Sequence, residues 1–354
     1  MRYRVIQWAT GAMGKTCLKA IIDHPDLELA GLYVYGVNKV GKDAGDIARR
    51  PATGVIATND VDAILALDAD VVIHAGRLAP PYGSHDAELI RLLESGKNVI
   101  SINGYSFPGY GDETRRAALA AACAEGGVSL MGAGLNPGFV GEQLAVVASG
   151  LCSELDSIEI VESVSCSEVL APDYVFKTLG FGADPAISDP NDEGWGPAQA
   201  LNGMYEEVLA TIAHRLGFTL DRIERDHRAL PASKDLHVSA GVIPAGMISH
   251  FNWRWHGRVE GGRRLTMSIH WYMESAHLDD VAPPLWRVNF EGKPGVRIAV
   301  DLHKRSSETE RTSAEQFAVA GAVVNAIPFV CASAPGLIIR PIATPFIASA
   351  CEKN

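Results

Sequence analysis

The sequence has few of the features that mark a membrane protein, a disulfide-stabilised protein or a nucleic-acid-binding protein. None of its uninterrupted apolar stretches reaches the ~20 residues that a membrane helix requires. Its six cysteines are scattered without a C-x-x-C pair, which predicts buried thiols in a reducing compartment rather than a disulfide or zinc framework. The formal net charge of -11 argues against nucleic-acid and anionic-membrane partners, because phosphate binding needs clustered Lys and Arg.

The composition that remains is typical of a globular protein. Apolar residues make up 47% of the chain and charged residues 21%, and a length of 354 residues fits two domains or one domain with a large insertion. The N-terminus runs directly into a candidate strand and leaves no room for a signal peptide. We therefore expect a cytoplasmic protein whose partner is a small-molecule substrate.

The first 150 residues alternate between short apolar runs and helical patterns. The candidate strands are Arg4–Trp8, Leu27–Tyr35, Asp70–Ala75, Asn98–Ile102 and Val128–Met131. Near-continuous apolar strands separated by helices predict a parallel sheet that is covered on both faces. The expected fold class is α/β, with an N-terminal Rossmann doubly wound sheet whose ligands bind beyond the carboxyl ends of the strands.

The stretch "QWATGAMGK" follows the first strand and opens the first helix. Gly11 and Gly14 occupy the last two glycine positions of the dinucleotide fingerprint G-x-G-x-x-G, and Ala9 stands at the first, where it fits only with a negative φ. Such a turn lets backbone N–H groups approach a pyrophosphate at the start of a helix. Lys15 either adds a positive charge or is an ordinary solvated lysine. The predicted cofactor-binding residues of this turn are Thr10, Gly11, Ala12, Met13 and Gly14.

The segment after the second strand bears on the choice of cofactor. An NAD site usually has an acidic residue there to bind the ribose hydroxyls, and "YVYGVNKVGKDAGD" has none between Tyr33 and Lys42. Asn38, Lys39 and Lys42 are instead suited to a 2′-phosphate. The pattern favours NADP as the cofactor, with NAD as the alternative.

The nicotinamide is expected beyond the ends of the third to fifth strands. The predicted contacts there are Ala75, Gly76, Arg77, Asn103, Gly104, Asn136 and Pro137. Tyr105 is the first candidate for a proton donor or carbonyl-polarising group, with covering of the nicotinamide as its alternative role. His74 is the second candidate, although it ends a buried strand and suits a packed histidine equally well.

A loop of the second domain supplies a third candidate. Glu168 lies in "SEVLAPDYVF" with Asp173 and Tyr174, a segment that either reaches the substrate or lies on the surface. The chemistry of hydride transfer belongs to the cofactor, so the protein has to position the substrate and handle a proton.

Several segments resemble a known family. "VGKDAGDIARRPATGVIATNDVDAIL" (residues 40–65) is similar to the N-terminal domain of dihydrodipicolinate reductase. "GLNPGF", "LGFGADP" and "NAIPFVCASAPG" resemble a related group of oxidoreductases, which includes diaminopentanoate dehydrogenases and native amine dehydrogenases. The resemblance implies an NAD(P)-dependent oxidoreductase. It also implies a second-domain sheet that carries the substrate pocket and the contact of a homodimer.

Two departures from these families limit the expected reaction. The Lys-x-x-x-P-S-G-T catalytic segment of dihydrodipicolinate reductases is absent, and "LPASKDLH" is only superficially similar to it. Native amine dehydrogenases have a glutamate after the fourth strand, where this chain has Gly104 and Tyr105. We expect reduction of a C=O or C=N bond in a small, moderately apolar substrate. The alternatives are an amine dehydrogenase in which Glu142 or Glu168 supplies the acid, and a non-catalytic NAD(P)-sensing protein.

The pattern changes in the second half of the chain. We expect a Rossmann domain over 1–150, a substrate and dimerisation domain over 151–312, and a C-terminal helix and tail over 313–354 that pack on the first domain. Long strands with little helix between them predict an open, mostly antiparallel sheet. In "HFNWRWHG" the residues His250, Asn252, Arg254 and His256 share one face of a strand and the aromatic residues share the other. The polar face suits solvent or a substrate pocket. The third alternative, a metal site of His250, His256 and His270, has no carboxylate or cysteine at ligand spacing to support it.

Overall fold

The computed structural model describes residues 2–280 and 282–342. The chain divides into two compact units. Among the described residues, the first unit contains those up to Arg77, His85–Phe139 and those from His303 onward, and the second contains those of Leu78–Ser84 and Val140–Leu302. The end of the expected C-terminal segment, 343–354 with Cys351, lies outside the described residues. Of the other cysteines, Cys17, Cys123 and Cys166 are buried free thiols as expected, whereas Cys152 and Cys331 are only partly buried.

The first unit is built on a six-stranded parallel sheet. With strands numbered along the whole chain, they are β1 Tyr3–Trp8, β2 Leu27–Tyr33, β3 Val71–His74, β4 Asn98–Ser101, β5 Ser129–Gly132 and β14 Gly336–Ile338. Their order in the sheet is β14-β5-β4-β3-β1-β2, and every pair is parallel. This confirms the predicted α/β, Rossmann-type fold.

Seven helices are described in the first unit. They are α1 Ala12–Asp23, α2 Ala44–Ala48, α3 Val61–Leu65, α4 Asp86–Glu94, α5 Glu113–Gly126, α8 Ala314–Val324 and α9 Ile327–Ala332. Several begin at a side-chain cap: Asp43, Asp60 and Asp112 each accept a hydrogen bond from a backbone N–H of the first helical turn. α5 ends at Gly127, whose φ of 67° is the left-handed conformation that stops a helix.

Helices cover both faces of this sheet. Neighbouring residues of each strand point to opposite faces, and both sets are buried. Ile6 and Val72 belong to one buried cluster, whereas Val5 and Val71 belong to another. The second cluster also contains residues of the C-terminal helices: Ala320, Val323, Val324, Ile327 and Val330. The segment Ala314–Ala332 is apolar and long enough to cross a membrane, a criterion that core helices of globular proteins also meet.

The second unit is built on a six-stranded mixed sheet. Its strands are β6 Glu154–Ser165, β7 Leu220–Pro231, β10 Ile248–Val259, β11 Arg264–Tyr272, β12 Trp286–Lys293 and β13 Val296–Val300. The order is β13-β12-β6-β11-β10-β7, in which β6 and β11 are parallel and the other pairs antiparallel. A small hairpin joins β8 Leu236–Val238 to β9 Gly241–Ile243, and the helices are α6 Val146–Ser149 and α7 Gly196–Arg215. β7 and β12 were not predicted from the sequence.

The two faces of this sheet differ as the alternation predicts. Asn252 faces His270 and Arg254 faces Ser268 across β10 and β11. On the other face Trp253 and Trp255 are buried. Helix α7 contributes to covering that face, where the Trp255 indole N–H donates to Asn202 Oδ1 at 3.0 Å. The aromatic face is therefore part of the core of the second unit.

Candidate functional site

The turn between β1 and α1 is tightly packed. Ala9 has a φ of 75°, so the expectation of a negative φ is wrong. The chain needs a left-handed residue to reverse from strand to helix, and a non-glycine residue there carries a strain of about 1–2 kcal/mol. A Cβ on Gly14 would lie 2.2 Å from the Ala9 carbonyl oxygen. Only glycine at position 14 therefore lets α1 pack this closely on the turn.

The start of α1 is suited to a phosphate group. Gly11 is the N-cap residue, and among the described side chains none caps the helix there. A Cβ on Gly11 would meet no atom within 4 Å, so the space beside it is open to a ligand. The first amides of a helix and its dipole favour an anion in this position. These features fit the pyrophosphate of a dinucleotide.

One lysine bonds this turn, and two more act on it electrostatically. The Lys39 ammonium donates to the Thr10 carbonyl oxygen at 2.8 Å and to Thr10 Oγ1 at 2.9 Å. Its pKa is lowered by burial and then by the positive charges of Lys15 and Lys42. Because these two charges act on Lys39, the three ammonium groups create a positive potential at the turn. Asn38 precedes Lys39 in an exposed single turn, Val37–Lys39.

The other predicted cofactor contacts follow the carboxyl ends of neighbouring strands. The Ala75 N–H donates to the Trp8 carbonyl at 3.0 Å, and the Ile102 N–H donates to the His74 carbonyl at 3.1 Å. Asn103 Nδ2 donates to the Gly76 carbonyl at 2.7 Å. The loops after β1, β3 and β4 are thus bonded to one another. Arg77 lies in the loop after β3, Gly104 follows Asn103, and Asn136 and Pro137 follow β5. Contact of all these residues with a cofactor stays a prediction.

Tyr105 is buried and its hydroxyl has a partner. The hydroxyl donates to Asp86 Oδ1 at 2.7 Å, and Asp86 Oδ2 accepts from Arg115 Nε at 2.6 Å. Burial and the charge of Asp86 raise the pKa of Tyr105 well above its ordinary value. The phenol is therefore a weak acid whose one proton is already donated. Its predicted role as a proton donor requires the hydroxyl to turn away from Asp86.

His74 belongs to a polar cluster at the end of β3. Its Nε2 lies 3.3 Å from Glu88 Oε2, and His85 Nδ1 lies 3.2 Å from the same oxygen. That oxygen also accepts from the Tyr35 hydroxyl at 2.7 Å, which in turn accepts from the Trp8 indole at 3.0 Å. His74 was a sequence candidate, whereas His85, Glu88 and Tyr35 were missed. The sequence could have indicated the pairing of His85 with Glu88, because the two residues lie three apart at the start of a helix.

The pKa shifts in this cluster differ between its three members. Burial lowers the pKa of His74 even though Glu88 lies beside it. Burial also opposes the charge of His85, but its hydrogen bonds to Glu88 and to the Arg77 carbonyl raise its pKa overall. Burial alone would raise the pKa of Glu88, but hydrogen bonds from His74, His85 and Tyr35 hold it well below the usual range.

The loop candidates of the second unit lie at the surface. Glu168 is exposed. Asp173 is also exposed and pairs with Lys177 at 2.9 Å. Tyr174 is partly buried in the π-helical turn Asp173–Thr178, and burial followed by the charges of Cys166 and Glu162 raises its pKa. A substrate contact of Glu168 stays a prediction.

The second unit also contains buried carboxylates that sequence reasoning largely missed. Glu162 accepts from the indole N–H groups of Trp271 and Trp286 at 2.7 and 2.8 Å. Glu142, the acid of the alternative hypothesis, is buried in the π-helical turn Val140–Ala145. Glu207 is buried as well and accepts from the Tyr82 hydroxyl at 2.9 Å. A glutamate on the same strand face as two isoleucines was the available signal for Glu162.

These carboxylates raise the pKa of acidic side chains near them. The pKa of Tyr205 is raised well above its ordinary value by burial, then by Glu162, Tyr174 and Glu142. Burial and then Glu162 likewise raise the pKa of the Cys166 thiol, to about 12. Burial and the neighbouring carboxylates thus keep the Tyr205 phenol and the Cys166 thiol protonated.

The polar face of the second-unit sheet is occupied by cross-strand pairs. Arg254 bonds Asp226 with an Nη2–Oδ2 distance of 2.9 Å, and His256 Nδ1 lies 3.2 Å from Thr266 Oγ1. His250 Nε2 and His270 Nδ1 are 3.1 Å apart, so the structure brings two of the three candidate histidines together. These pairs account for the polar character of the face.

Comparisons with known proteins agree with the fold and the turn. Residues 5–79 match the model of the dihydrodipicolinate reductase N-terminus. The chain is 30% identical to an amine dehydrogenase of Streptomyces virginiae, over 94% of this chain and 93% of that protein. It is 33% identical to 4-hydroxy-tetrahydrodipicolinate reductase of Neisseria meningitidis serogroup B, over 68% of this chain and 90% of that protein.

A solved structure has the same architecture over nearly the whole chain. The amine dehydrogenase of Mycobacterium smegmatis superposes with a TM-score of 0.81 at 19% identity, covering 98% of this chain and 97% of that chain. The similarity in sequence to the Streptomyces protein likewise spans both units. The chain therefore belongs to the family of NAD(P)-dependent oxidoreductases that includes these amine dehydrogenases and the dihydrodipicolinate reductases.

Proposed function

We propose that this oxidoreductase reduces the C=N bond of a small, moderately apolar iminium substrate, with NADPH as the preferred cofactor. The observation that carries the proposal is the Tyr105 hydrogen bond. Because the phenolic proton is donated to Asp86, and Arg115 also bonds the hydroxyl, the oxygen has a lone pair but no proton for a further group. A lone pair accepts from a protonated nitrogen and cannot donate to a carbonyl oxygen. This geometry favours C=N reduction over C=O reduction.

The proton balance of the reaction supports the same conclusion. An iminium ion accepts a hydride and becomes a neutral amine, so a substrate that binds in the protonated form needs no further proton. The proposal thus accounts for a site that lacks the glutamate expected at Gly104 or Tyr105.

The turn at Thr10–Gly14 is the proposed cofactor site. The bound nicotinamide cofactor supplies the hydride. The open space at Gly11 and the first amides of α1 are suited to the pyrophosphate. The positive potential of Lys15, Lys39 and Lys42 and the missing acid after β2 favour the additional phosphate of NADPH over NADH.

Ammonia-dependent reductive amination is the second candidate. It is favoured by the 30% identity to an amine dehydrogenase over 94% of the chain. The two candidates share the reduction of a C=N bond and differ in whether the protein must also bind ammonia and assist its addition to a carbonyl. Glu142 is the carboxylate we propose for that additional task, because it is buried in a π-helical turn, a feature that is frequent at functional sites.

The test is an assay of NADPH oxidation with three kinds of substrate. Cyclic imines report C=N reduction, ketones with ammonium report reductive amination, and ketones or aldehydes alone report C=O reduction. We expect turnover of the imines. Turnover of ketones only in the presence of ammonium would favour the second candidate, and turnover of carbonyls alone would overturn the proposal. Cofactor binding without turnover of any class would favour a sensing role.

A further inference from the structure

The His74–His85–Glu88 cluster has the composition of a metal-binding site. One donor atom from each residue lies within 4.8 Å of the other two, and both histidine nitrogens approach Glu88 Oε2, at 3.3 and 3.2 Å. Imidazole nitrogens and carboxylate oxygens bind zinc at about 2.0–2.2 Å, so neighbouring donors of a tetrahedral site lie about 3.3–3.5 Å apart. The two distances to Glu88 agree with that spacing to within a few tenths of an ångström.

The tautomer of His85 adds a second, independent observation. His85 Nε2 lies 2.9 Å from the Arg77 carbonyl oxygen, which can only accept, so Nε2 carries a proton. In the neutral ring Nδ1 then has a lone pair, and that lone pair faces a carboxylate oxygen. Two lone pairs 3.2 Å apart need a cation between them. A hydrogen bond from the distal ring nitrogen to a backbone carbonyl is the usual way to orient a metal-binding histidine.

The elements around the cluster hold the donors in place. His74 ends β3. His85 is the N-cap residue of α4, and Glu88 lies three residues later in the first turn of that helix. Gly76 makes the approach of both rings possible, since a Cβ there would lie 2.8 Å from His85 Cε1 and 3.0 Å from His74 Cε1. The Tyr35 hydroxyl donates to Glu88 Oε2 and orients the carboxylate from the second strand of the sheet.

The cluster is accessible on one side. The His74 side chain is fully buried, whereas the side chains of His85 and Glu88 are 16% and 31% exposed. An ion can therefore enter from solvent, and a water molecule can complete a tetrahedral set of four ligands. Two histidines, one carboxylate and one open position are a known donor set for zinc.

We propose that the cluster binds one zinc-class divalent cation through His74 Nε2, His85 Nδ1 and Glu88 Oε2. The ion would link β3 to the start of α4 within the first unit. The proposal is independent of the proposed reaction and departs from the sequence analysis, which predicted no metal site. The competing occupant of the same position is a proton on His85, which would form an ion pair with Glu88 and leave no place for a metal.

Metal titration of untagged protein distinguishes the two occupants. Protein freed of metal with a chelator is titrated with Zn²⁺ by calorimetry and with Co²⁺ by visible absorption, which reports a tetrahedral site directly. We expect one equivalent of each ion to bind, with competition between them. Uptake of less than one equivalent, or a Co²⁺ spectrum of an octahedral hydrated ion, would overturn the proposal.

Matched variants locate the ion. We expect His85→Gln and Glu88→Gln each to weaken Zn²⁺ binding at least ten-fold. Glu94→Gln at the exposed end of α4 and His237→Gln in the exposed hairpin should bind as the wild type does. Equal binding by all four variants would refute the assignment. If the cluster variants do not fold, the wild type decides: its melting temperature should rise with Zn²⁺ concentration at pH 7, and no rise would count against the site.

Discussion

The packing of α1 against the turn at Ala9 makes Gly14→Ala a sharp test of the proposed nucleotide site. The new methyl carbon would lie 2.2 Å from the Ala9 oxygen and 2.8 Å from the Ala9 carbon, whereas ordinary contacts begin at 3.4 Å. Both are backbone atoms, so the overlap cannot be relieved by a change of rotamer. Helix α1 must therefore move away from the turn by about an ångström. The turn is already strained there, because Ala9 has a φ of 75°.

The expected cost follows from two opposing effects. Alanine is preferred over glycine inside a helix by about 1 kcal/mol, which would stabilise the variant. Overpacking costs about 1–3 kcal/mol, and the larger part of that range applies where backbone has to move. We expect the free energy of unfolding to fall by about 1–2 kcal/mol. The displaced turn should also lower the affinity for NADPH at least ten-fold, which is about 1.4 kcal/mol.

Urea denaturation followed by circular dichroism measures the first effect, and calorimetric titration with NADPH measures the second. Gly11→Ala is the matched control for stability, because a Cβ there meets no atom within 4 Å and the residue already has a φ of -63°. It should unfold at the urea concentration of the wild type. If Gly14→Ala has the stability and NADPH affinity of the wild type, the close packing inferred for this turn is wrong.

Three further predictions concern single side chains. Tyr105→Phe should lower kcat for imine reduction at least ten-fold and leave cofactor affinity unchanged, because hydrogen bonds to charged groups are worth about 1.5–3 kcal/mol. Lys42→Ala should reduce the preference for NADPH over NADH, since it removes one of three positive charges near the turn. Burial and then the charges of His270 and His277 lower the pKa of His250 to about 4. Protons therefore bind the unfolded chain first, so the stability should be complete above pH ~6.5 and should fall by up to about 3 kcal/mol towards pH 4. His250→Gln should flatten this decline.

Each of these predictions can fail in a defined way. A normal kcat in Tyr105→Phe would mean that the phenol does not contact the substrate. An unchanged ratio of NADPH to NADH affinity in Lys42→Ala would remove that charge from the cofactor site. Acid unfolding of His250→Gln that parallels the wild type between pH 6.5 and 4 would show that other groups control the decline.

Much of the first unit could be predicted from the sequence, because its strands are buried on both faces and appear as short apolar runs. β1, β3 and β4 were located within two residues of their observed bounds. β14 was not predicted, since three residues give no period, and among the described strands it pairs with β5 alone. In the second unit β7 was missed because its sequence, "LDRIERDHRALP", is charged and partly exposed on both faces.

The candidate site was predictable where it depends on the local chain. The glycine pattern and its position after a strand identified the turn, although the left-handed φ of Ala9 could not be inferred from the sequence. The hydrogen bond from Tyr105 to Asp86 and the His74–His85–Glu88 cluster each join residues from different elements. Their contacts follow from how α4 packs beside β3, which no local pattern encodes.

The central claim, that the Thr10–Gly14 turn binds the cofactor, is tested most directly by calorimetric titration of NADPH and NADH into wild type and Gly11→Asp. A carboxylate at this position would face the pyrophosphate, and the open space around Gly11 lets the side chain enter without disturbing the fold. We predict binding by the wild type, tighter for NADPH, and no measurable binding by a folded Gly11→Asp protein. Wild-type affinity in that variant would contradict the account.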